Sequence, residues 1–140
     1  GFVLDASIAL SWCFTDEASA HTWNLLERLE EETAFVPSLW PLEVGNILIL
    51  AERRKRISYA HVILSLELMG RLPIQVDEET AYRAFHETSQ LAHREALTSY
   101  DASYLELALR LGVPLATKDK ALAKVAKKVG VSLIERSVIE

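Results

Sequence analysis

The chain predicts an α/β fold built on a mostly parallel sheet. Short apolar segments alternate with longer amphipathic ones along its 140 residues. That alternation is typical of right-handed strand–helix–strand crossovers, which cover a parallel sheet on both faces. Half of the residues are hydrophobic (50%), enough for a sizeable core. The length fits a single domain, and we expect one domain over residues 1–140.

Five short apolar segments are predicted to form the sheet. They are residues 2–4, 34–37, 74–76, 114–117 and 131–134. Pro37 ends the second segment, because proline cannot donate to a strand ladder. An acidic residue, Asp5, directly follows the first segment. Another, Asp119, lies two positions after the fourth segment.

Helices are predicted between the strands, with capping residues at their starts and glycines at their ends. Their ranges are 16–32, 41–55, 59–69, 78–94, 99–112 and 118–128. Ser19, Ser58 and Thr98 are suitable N-caps, because a side-chain oxygen accepts from the first free amide groups. Gly70 and Gly112 mark expected helix ends.

Composition excludes several classes of protein. The net charge of −5 is not typical of a general nucleic-acid coating protein, which is usually basic. No apolar run approaches the roughly 20 residues that a membrane helix needs, so we expect no membrane association. Cys13 is the only cysteine, which excludes an internal disulfide and favours a cytoplasmic location.

Basic residues are concentrated at two places. Residues 53–56 read Arg-Arg-Lys-Arg, and five lysines lie within residues 118–128. Most of these lysines share one side of the predicted helix, opposite Leu122 and Val125, which is typical of a solvated helix face.

Two acidic residues are expected at the same rim of the sheet. Asp5 ends the first predicted strand, and Asp119 follows the fourth. Ligands of parallel sheets bind beyond the carboxyl ends of the strands, so these side chains belong together. Each also has a purely structural interpretation, because an aspartate at such a place caps the following helix.

Two further acids lie in apolar helices. Glu43 belongs to a helix that is apolar nearly all round, with Asn46 as its polar neighbour three residues on. Asp101 faces inward beside Leu105, in a first helical turn where an anion gains about 0.3–1 kcal/mol. An unseen partner for Glu43 and a first-turn role for Asp101 are the structural alternatives.

Together the four carboxylates indicate a divalent cation. At about 5 Å, each pair would repel by roughly 3 kcal/mol at an effective dielectric of 20. Mg²⁺ and Mn²⁺ prefer oxygen ligands, and either ion can activate water for phosphodiester hydrolysis. Ser7 and Thr117 place hydroxyls beside two of the acids, where they can orient a carboxylate. The sequence does not decide whether the site binds one metal ion or two.

Four sequence blocks resemble the motifs of PIN-domain nucleases, specifically the VapC-type toxins of toxin–antitoxin pairs. They are residues 3–7 (VLDAS), 41–48 (PLEVGNIL), 98–108 (TSYDASYLELA) and 115–122 (LATKDKAL). Any single block is weakly specific, but their order and spacing fit over nearly the whole chain.

The resemblance implies a fold, an activity and partners. It implies an α/β/α sandwich with a central, mostly parallel sheet, and Mg²⁺- or Mn²⁺-dependent endoribonuclease activity. It also implies a homodimer, an RNA substrate and a small cognate antitoxin that blocks the acidic pocket. The catalytic, metal-binding residues would be Asp5, Glu43, Asp101 and Asp119. The supporting polar residues would be Ser7, Asn46 and Thr117.

Two other functions are weighed against this one. A catalytically silent PIN-like binding or regulatory module is disfavoured because all four acids are present. A structure-specific DNA nuclease is disfavoured because such enzymes with a similar fold carry large insertions, for which 140 residues leave no room.

Overall fold

The computed structural model describes residues 1–134, in which four parallel strands form one sheet among helices. The strands are β1 (Phe2–Leu4), β2 (Ala34–Val36), β3 (Ile74–Val76) and β4 (Leu115–Ala116). Their order is β3-β2-β1-β4, and every neighbouring pair is parallel. The prediction of a mixed α/β fold with a parallel sheet is therefore confirmed.

The helices follow the strands in chain order. They are α1 (Ala6–Ser11), α2 (Ala20–Arg28), α3 (Trp40–Arg53), α4 (Tyr59–Arg71), α5 (Thr80–Ala84), α6 (Glu87–Glu95), α7 (Ser99–Leu111) and α8 (Lys120–Lys128). A 3₁₀ turn (Thr15–Glu17) lies between α1 and α2. Within residues 1–134, no helix is long and apolar enough to cross a membrane.

The order in which strands are added to the sheet reverses at β1, a fully buried inner strand. All three residues of β1 are 0% exposed. From β1 the chain adds β2 and β3 on one side, and then returns to place β4 on the other side. The α7 helix packs against both β1 and β4. Such a reversal opens a crevice at the carboxyl ends of the two strands, which is where parallel sheets bind ligands.

The predicted helix boundaries are confirmed where a cap defines them. Ser19, Ser58 and Thr98 each accept a hydrogen bond from an amide of the following first turn. Gly112 ends α7 with φ +67°, a left-handed conformation that glycine adopts without a side-chain clash. Gly70 does not end α4, because the helix continues to Arg71.

The predicted fifth strand is wrong. Within residues 131–134, Leu133 forms a single parallel bridge with Leu115 and no ladder follows. The amide of Leu115 donates to the carbonyl of Ser132, and the amide of Ile134 donates to the carbonyl of Leu115. Because β4 is only two residues long, it offers no further residues for a new strand to pair with. The sheet of residues 1–134 therefore has four strands rather than five.

Three helical predictions also differ from the structure. The helix predicted over residues 16–32 is confined to α2, and the 3₁₀ turn precedes it. The single helix predicted over residues 78–94 is two helices, α5 and α6, separated at Phe85 and His86. His86 has φ −118° and ψ −110°, which is outside the helical region, although no proline or glycine marks the break. The short helix α1, directly after Asp5, was absent from the predicted helices.

Candidate active site

A cleft of about 400 Å³ lies beyond the carboxyl ends of β1 and β4. All four acids that the sequence singles out line it: Asp5, Glu43, Asp101 and Asp119. They come from the end of β1, the first turn of α3, the first turn of α7 and the start of α8. The topology therefore brings together carboxylates that are far apart in the sequence.

Asp5 is the most buried and most firmly held of the four. It is 6% exposed and caps α1. Its Oδ1 accepts from the backbone amide and the hydroxyl of Ser7, and its Oδ2 accepts from the hydroxyl of Thr117. Thr117 directly follows β4, so this bond joins the ends of the two neighbouring strands. The Ser7 hydroxyl in turn accepts from the amide of Lys118 at 2.9 Å.

Glu43 is held by a tyrosine from another helix. Its Oε1 accepts a hydrogen bond from the hydroxyl of Tyr104, which is buried in α7. Burial, followed by the neighbouring Glu43 carboxylate, raises the pKa of Tyr104, so that its hydroxyl stays a hydrogen-bond donor. Tyr104 is not among the site residues that the sequence predicts. Its position three residues after Asp101, on the same side of α7, was the available signal.

Asp119 has a structural bond on one oxygen. It is the N-cap of α8, and its Oδ1 accepts from the amides of Ala121 at 2.9 Å and Leu122 at 3.1 Å. Its own amide donates to the hydroxyl of Thr117 at 3.0 Å. Because Oδ1 satisfies the helix start, Oδ2 is left for a ligand in the cleft.

The Asp101 carboxylate has the fewest partners. Its backbone amide donates to the Thr98 cap at 3.0 Å, but its side-chain oxygens accept no hydrogen bond within residues 1–134. Both oxygens are therefore open to the cleft.

Burial and mutual repulsion disfavour the charged forms of three acids. Desolvation, with a smaller contribution from Asp119, raises the pKa of Asp5 although Ser7 and Thr117 oppose the shift. Desolvation and the Asp5 and Asp101 carboxylates likewise raise the pKa of Glu43.

Asp101 has a pKa raised by burial first, then by the charges of Asp119 and Asp5. No lysine or arginine within residues 1–134 forms an ion pair with any of the four acids. A cluster of this kind is neutralised either by protons or by a cation.

The donor set of the cleft fits a hard divalent cation that keeps much of its water. Within residues 1–134, no three acidic, histidine or cysteine side chains converge closely enough to hold one ion directly. Mg²⁺ commonly takes only one or two carboxylates and completes its shell with water. The cleft offers oxygen donors alone, with open oxygens on Asp101 and Asp119, so the residues present suit such an ion.

The predicted supporting residues divide into two groups. Ser7 and Thr117 belong to the hydrogen-bond network around Asp5. Asn46 is exposed and lines a neighbouring groove with Leu42 and Tyr100, where it forms no hydrogen bond with the four acids. The structure therefore brings Ser7 and Thr117, but not Asn46, into contact with the carboxylates.

Three further side chains of the cleft are absent from the predicted set. Phe14, Glu17 and Arg56 line the same cleft as the four acids. Arg56 comes from the basic run that follows α3, which the sequence alone shows only as a charged segment.

The fold and the cleft together define a class: α/β proteins with a cluster of carboxylates at the switch point of a parallel sheet. The chain belongs to the PIN domain family, whose family model matches residues 2–128. Proteins of this family are generally metal-dependent nucleases.

Two solved structures support the assignment of the fold. The chain is similar to PAE2754 from Pyrobaculum aerophilum, with 26% identity and a TM-score of 0.64 over 88% of this chain and 84% of that one. It is also similar to FitAcB from Neisseria gonorrhoeae, with 12% identity and a TM-score of 0.66 over 96% and 97%. A comparison with curated protein sequences gave no significant match.

Proposed function

We propose that the chain is a Mg²⁺- or Mn²⁺-dependent endoribonuclease that acts as the toxin of a toxin–antitoxin pair. The observation that carries the proposal is the convergence on one cleft of four carboxylates, none of which forms an ion pair with a lysine or arginine within residues 1–134. Membership of the PIN domain family supports nuclease chemistry, and the resemblance of the four sequence blocks to VapC-type toxins supports RNA as the substrate.

The residues of the cleft have separate tasks in this proposal. Asp5, Glu43, Asp101 and Asp119 would hold a divalent ion, one or two of them directly and the others through its bound water. Such an ion would lower the pKa of bound water and stabilise negative charge on the phosphate. Ser7 and Thr117 fix both oxygens of Asp5, while Tyr104 fixes Glu43.

The biological setting is part of the same proposal. Residues 1–140 would act as a single nuclease domain, as a homodimer, and under the control of a cognate antitoxin protein. FitAcB shares only 12% identity with the chain, so that likeness supports the fold and the toxin assignment rests on the sequence blocks.

Cleavage of RNA by the purified chain tests the proposal. We expect cleavage of single-stranded RNA with Mg²⁺ or Mn²⁺ and none with EDTA. Asp101→Asn should lower activity at least about 100-fold, because it removes a charge from the metal site while keeping the shape of the side chain. The matched control is Glu67→Gln, which neutralises an exposed helical acid outside the cleft and should cleave like the parent.

Two outcomes would contradict the proposal. Full activity of Asp101→Asn would show that this carboxylate does not serve the reaction. A parent chain that binds RNA without cleaving it in either metal would favour the catalytically silent binding module instead.

A further inference from the structure

Arg56 is the one positively charged side chain that lines the acidic cleft within residues 1–134. The other charged groups of the cleft wall are the four acids and Glu17. Among residues 1–134, Arg56 is therefore the one place on this wall where a nucleic-acid phosphate meets a positively charged donor, with its charge shared by Asp16 and Glu17. The position of that side chain is therefore of interest for binding of substrate.

An uncommon backbone turn brings Arg56 back to the cleft. Arg54 is the C-cap of α3, and the amides of Lys55 and Arg56 donate to the carbonyls of Glu52 and Ala51, both at 2.9 Å. This is a Schellman ending, in which the residue after the cap is left-handed and is usually glycine. Here Lys55 takes that place with φ +60°, a conformation that residues with a side chain rarely adopt.

The Arg56 guanidinium is held in place but keeps free donors. It lies over the ring of Phe14, with its central carbon 4.0 Å from the ring centroid. Its Nη2 alone makes the hydrogen bonds, at 3.0 Å to both oxygens of Asp16 and at 2.7 Å to Glu17. Its Nε and Nη1 make no hydrogen bond within residues 1–134. A guanidinium has five N–H groups, so the three on Nε and Nη1 remain available for an anion.

We propose that Arg56 binds a phosphate of the RNA substrate at the edge of the cleft, beside the metal-holding acids. The proposal rests on the ribonuclease function proposed above. Phe14 and the two acids fix the plane of the guanidinium, while the N–H groups of Nε and Nη1 point in different directions and leave each nitrogen free to donate to one phosphate oxygen. The side chain is 42% exposed, so a phosphate can reach it from solvent.

Binding of RNA by three variants tests the role of Arg56. The probe is a short fluorescein-labelled single-stranded RNA, measured by anisotropy in EDTA over a range of salt concentrations. Arg56→Ala removes the contact, Arg56→Lys keeps the charge without the planar fork, and Arg54→Ala is the matched control. Arg54 lies at the same helix end, is exposed and does not line the cleft.

We expect Arg56→Ala to weaken RNA binding about tenfold, because one charge-assisted contact is lost. The slope of log Kd against log salt concentration should fall by about 0.7, the value for one phosphate contact on a single strand. Arg56→Lys should keep the parent's slope with intermediate affinity, and Arg54→Ala should match the parent in both. Melting temperatures of all four proteins identify any variant that is not folded, and Arg56→Lys retains the charge if Arg56→Ala unfolds.

Equal affinity and equal salt slope for Arg56→Ala and Arg54→Ala would overturn the inference. Cleavage of the same RNA in Mg²⁺ by the parent separates this failure from failure of the proposed function. If the parent cleaves RNA and Arg56 has no effect on binding, only the role of Arg56 is wrong. If the parent neither binds nor cleaves RNA, both proposals are wrong.

Discussion

Asp101 differs from the other carboxylates of the cleft in having no hydrogen bond to offset its burial. Asp5 accepts from Ser7 and Thr117, and Glu43 accepts from Tyr104. The pKa of Asp101 is raised by desolvation and by the charges of Asp119 and Asp5. In the absence of metal, this residue should therefore oppose folding at neutral pH.

We expect Asp101→Asn to raise the melting temperature of the metal-free protein at neutral pH. The free energy of unfolding should rise by about 0.5–1 kcal/mol, which corresponds to roughly 2–4 °C in melting temperature. The effect is this small because solvent screens a half-buried charge. Bound Mg²⁺ stabilises by mass action, so the further rise on adding Mg²⁺ should be smaller in the variant than in the parent. Thermal melts of both proteins, in EDTA and in Mg²⁺, make the comparison.

Glu67→Gln is the control for these melts, because it removes an exposed charge with no neighbour in the cleft. A lower melting temperature for Asp101→Asn in EDTA, together with an unchanged response to Mg²⁺, would show that Asp101 is a structural first-turn acid.

The raised pKa values also predict how stability depends on pH. Asp5, Glu43 and Asp101 bind protons more tightly in the folded chain, so the free energy of unfolding falls as pH rises above their ordinary values of 3.8 and 4.5. The loss of stability is complete once the pH exceeds the pKa values of the folded chain. It is absent when the pH is below the ordinary pKa values of these carboxyl groups. Asp77, whose pKa is lowered overall, affects stability only as pH falls below its ordinary value.

Melts in EDTA from about pH 5 to about pH 8 should therefore show a steeper loss of stability in the parent than in Asp101→Asn. Taking the difference between the two proteins removes the contribution of the histidines, which both share. Identical slopes would mean that Asp101 does not take part in the electrostatic cluster.

The sequence located the four acids but not what surrounds them. Asp5 and Asp119 follow apolar strands, and Glu43 and Asp101 interrupt apolar helices, so each is conspicuous locally. Tyr104 pairs with Glu43 across 61 positions, and such a partner is invisible to any local pattern.

At the scale of elements, Asp119 caps α8 with one carboxylate oxygen, and in the proposed function its other oxygen serves the metal. Asp119→Ala should destabilise the protein by about 1 kcal/mol, because the amides of Ala121 and Leu122 lose their acceptor. Asp119→Asn should keep most of that stability, since asparagine caps as well as aspartate. Both variants should lose RNA cleavage if Oδ2 serves the metal.

Thermal melts and cleavage assays of this pair separate the two roles. Full activity of Asp119→Asn would leave the cap as the sole role of Asp119. Equal stability of Asp119→Ala and the parent would instead show that the cap contributes nothing measurable.

The elements were predictable where local chemistry sets their ends. Thr98 and Gly112 define α7, and both were visible in the sequence. The false fifth strand had suitable composition, but pairing depends on the length of β4, which local composition does not determine. The break between α5 and α6 lies at Phe85 and His86, with no residue that disfavours a helix strongly.

At the scale of the whole molecule, α4 carries an apolar surface that residues 1–134 leave exposed. Leu64 is 66% exposed, and Leu68 lies one turn further along the helix and is also exposed. Contiguous apolar surface of this kind marks association sites, and two-fold symmetry is the commonest arrangement. We expect a homodimer of about 31 kDa, twice the 15.7 kDa of one chain.

Leu64→Glu should shift the protein toward monomer, because it places a charge in the proposed interface. Phe85→Glu is the control, since Phe85 is also a large, exposed apolar residue but lies between α5 and α6. Light scattering at high micromolar concentration measures the mass. A monomeric parent, or equal dissociation in both variants, would contradict an interface on α4.

The bond between Thr117 and Asp5 spans 112 positions and has a consequence for synthesis on the ribosome. The strand that carries Asp5 is made first, yet its neighbour β4 and the capping helix α8 are among the last described elements to be made. The Asp5 carboxylate therefore has neither its hydrogen bond from Thr117 nor Asp119 as a neighbour until the ribosome has added both residues. A nascent chain therefore carries no assembled cleft until residues 117–119 have been made.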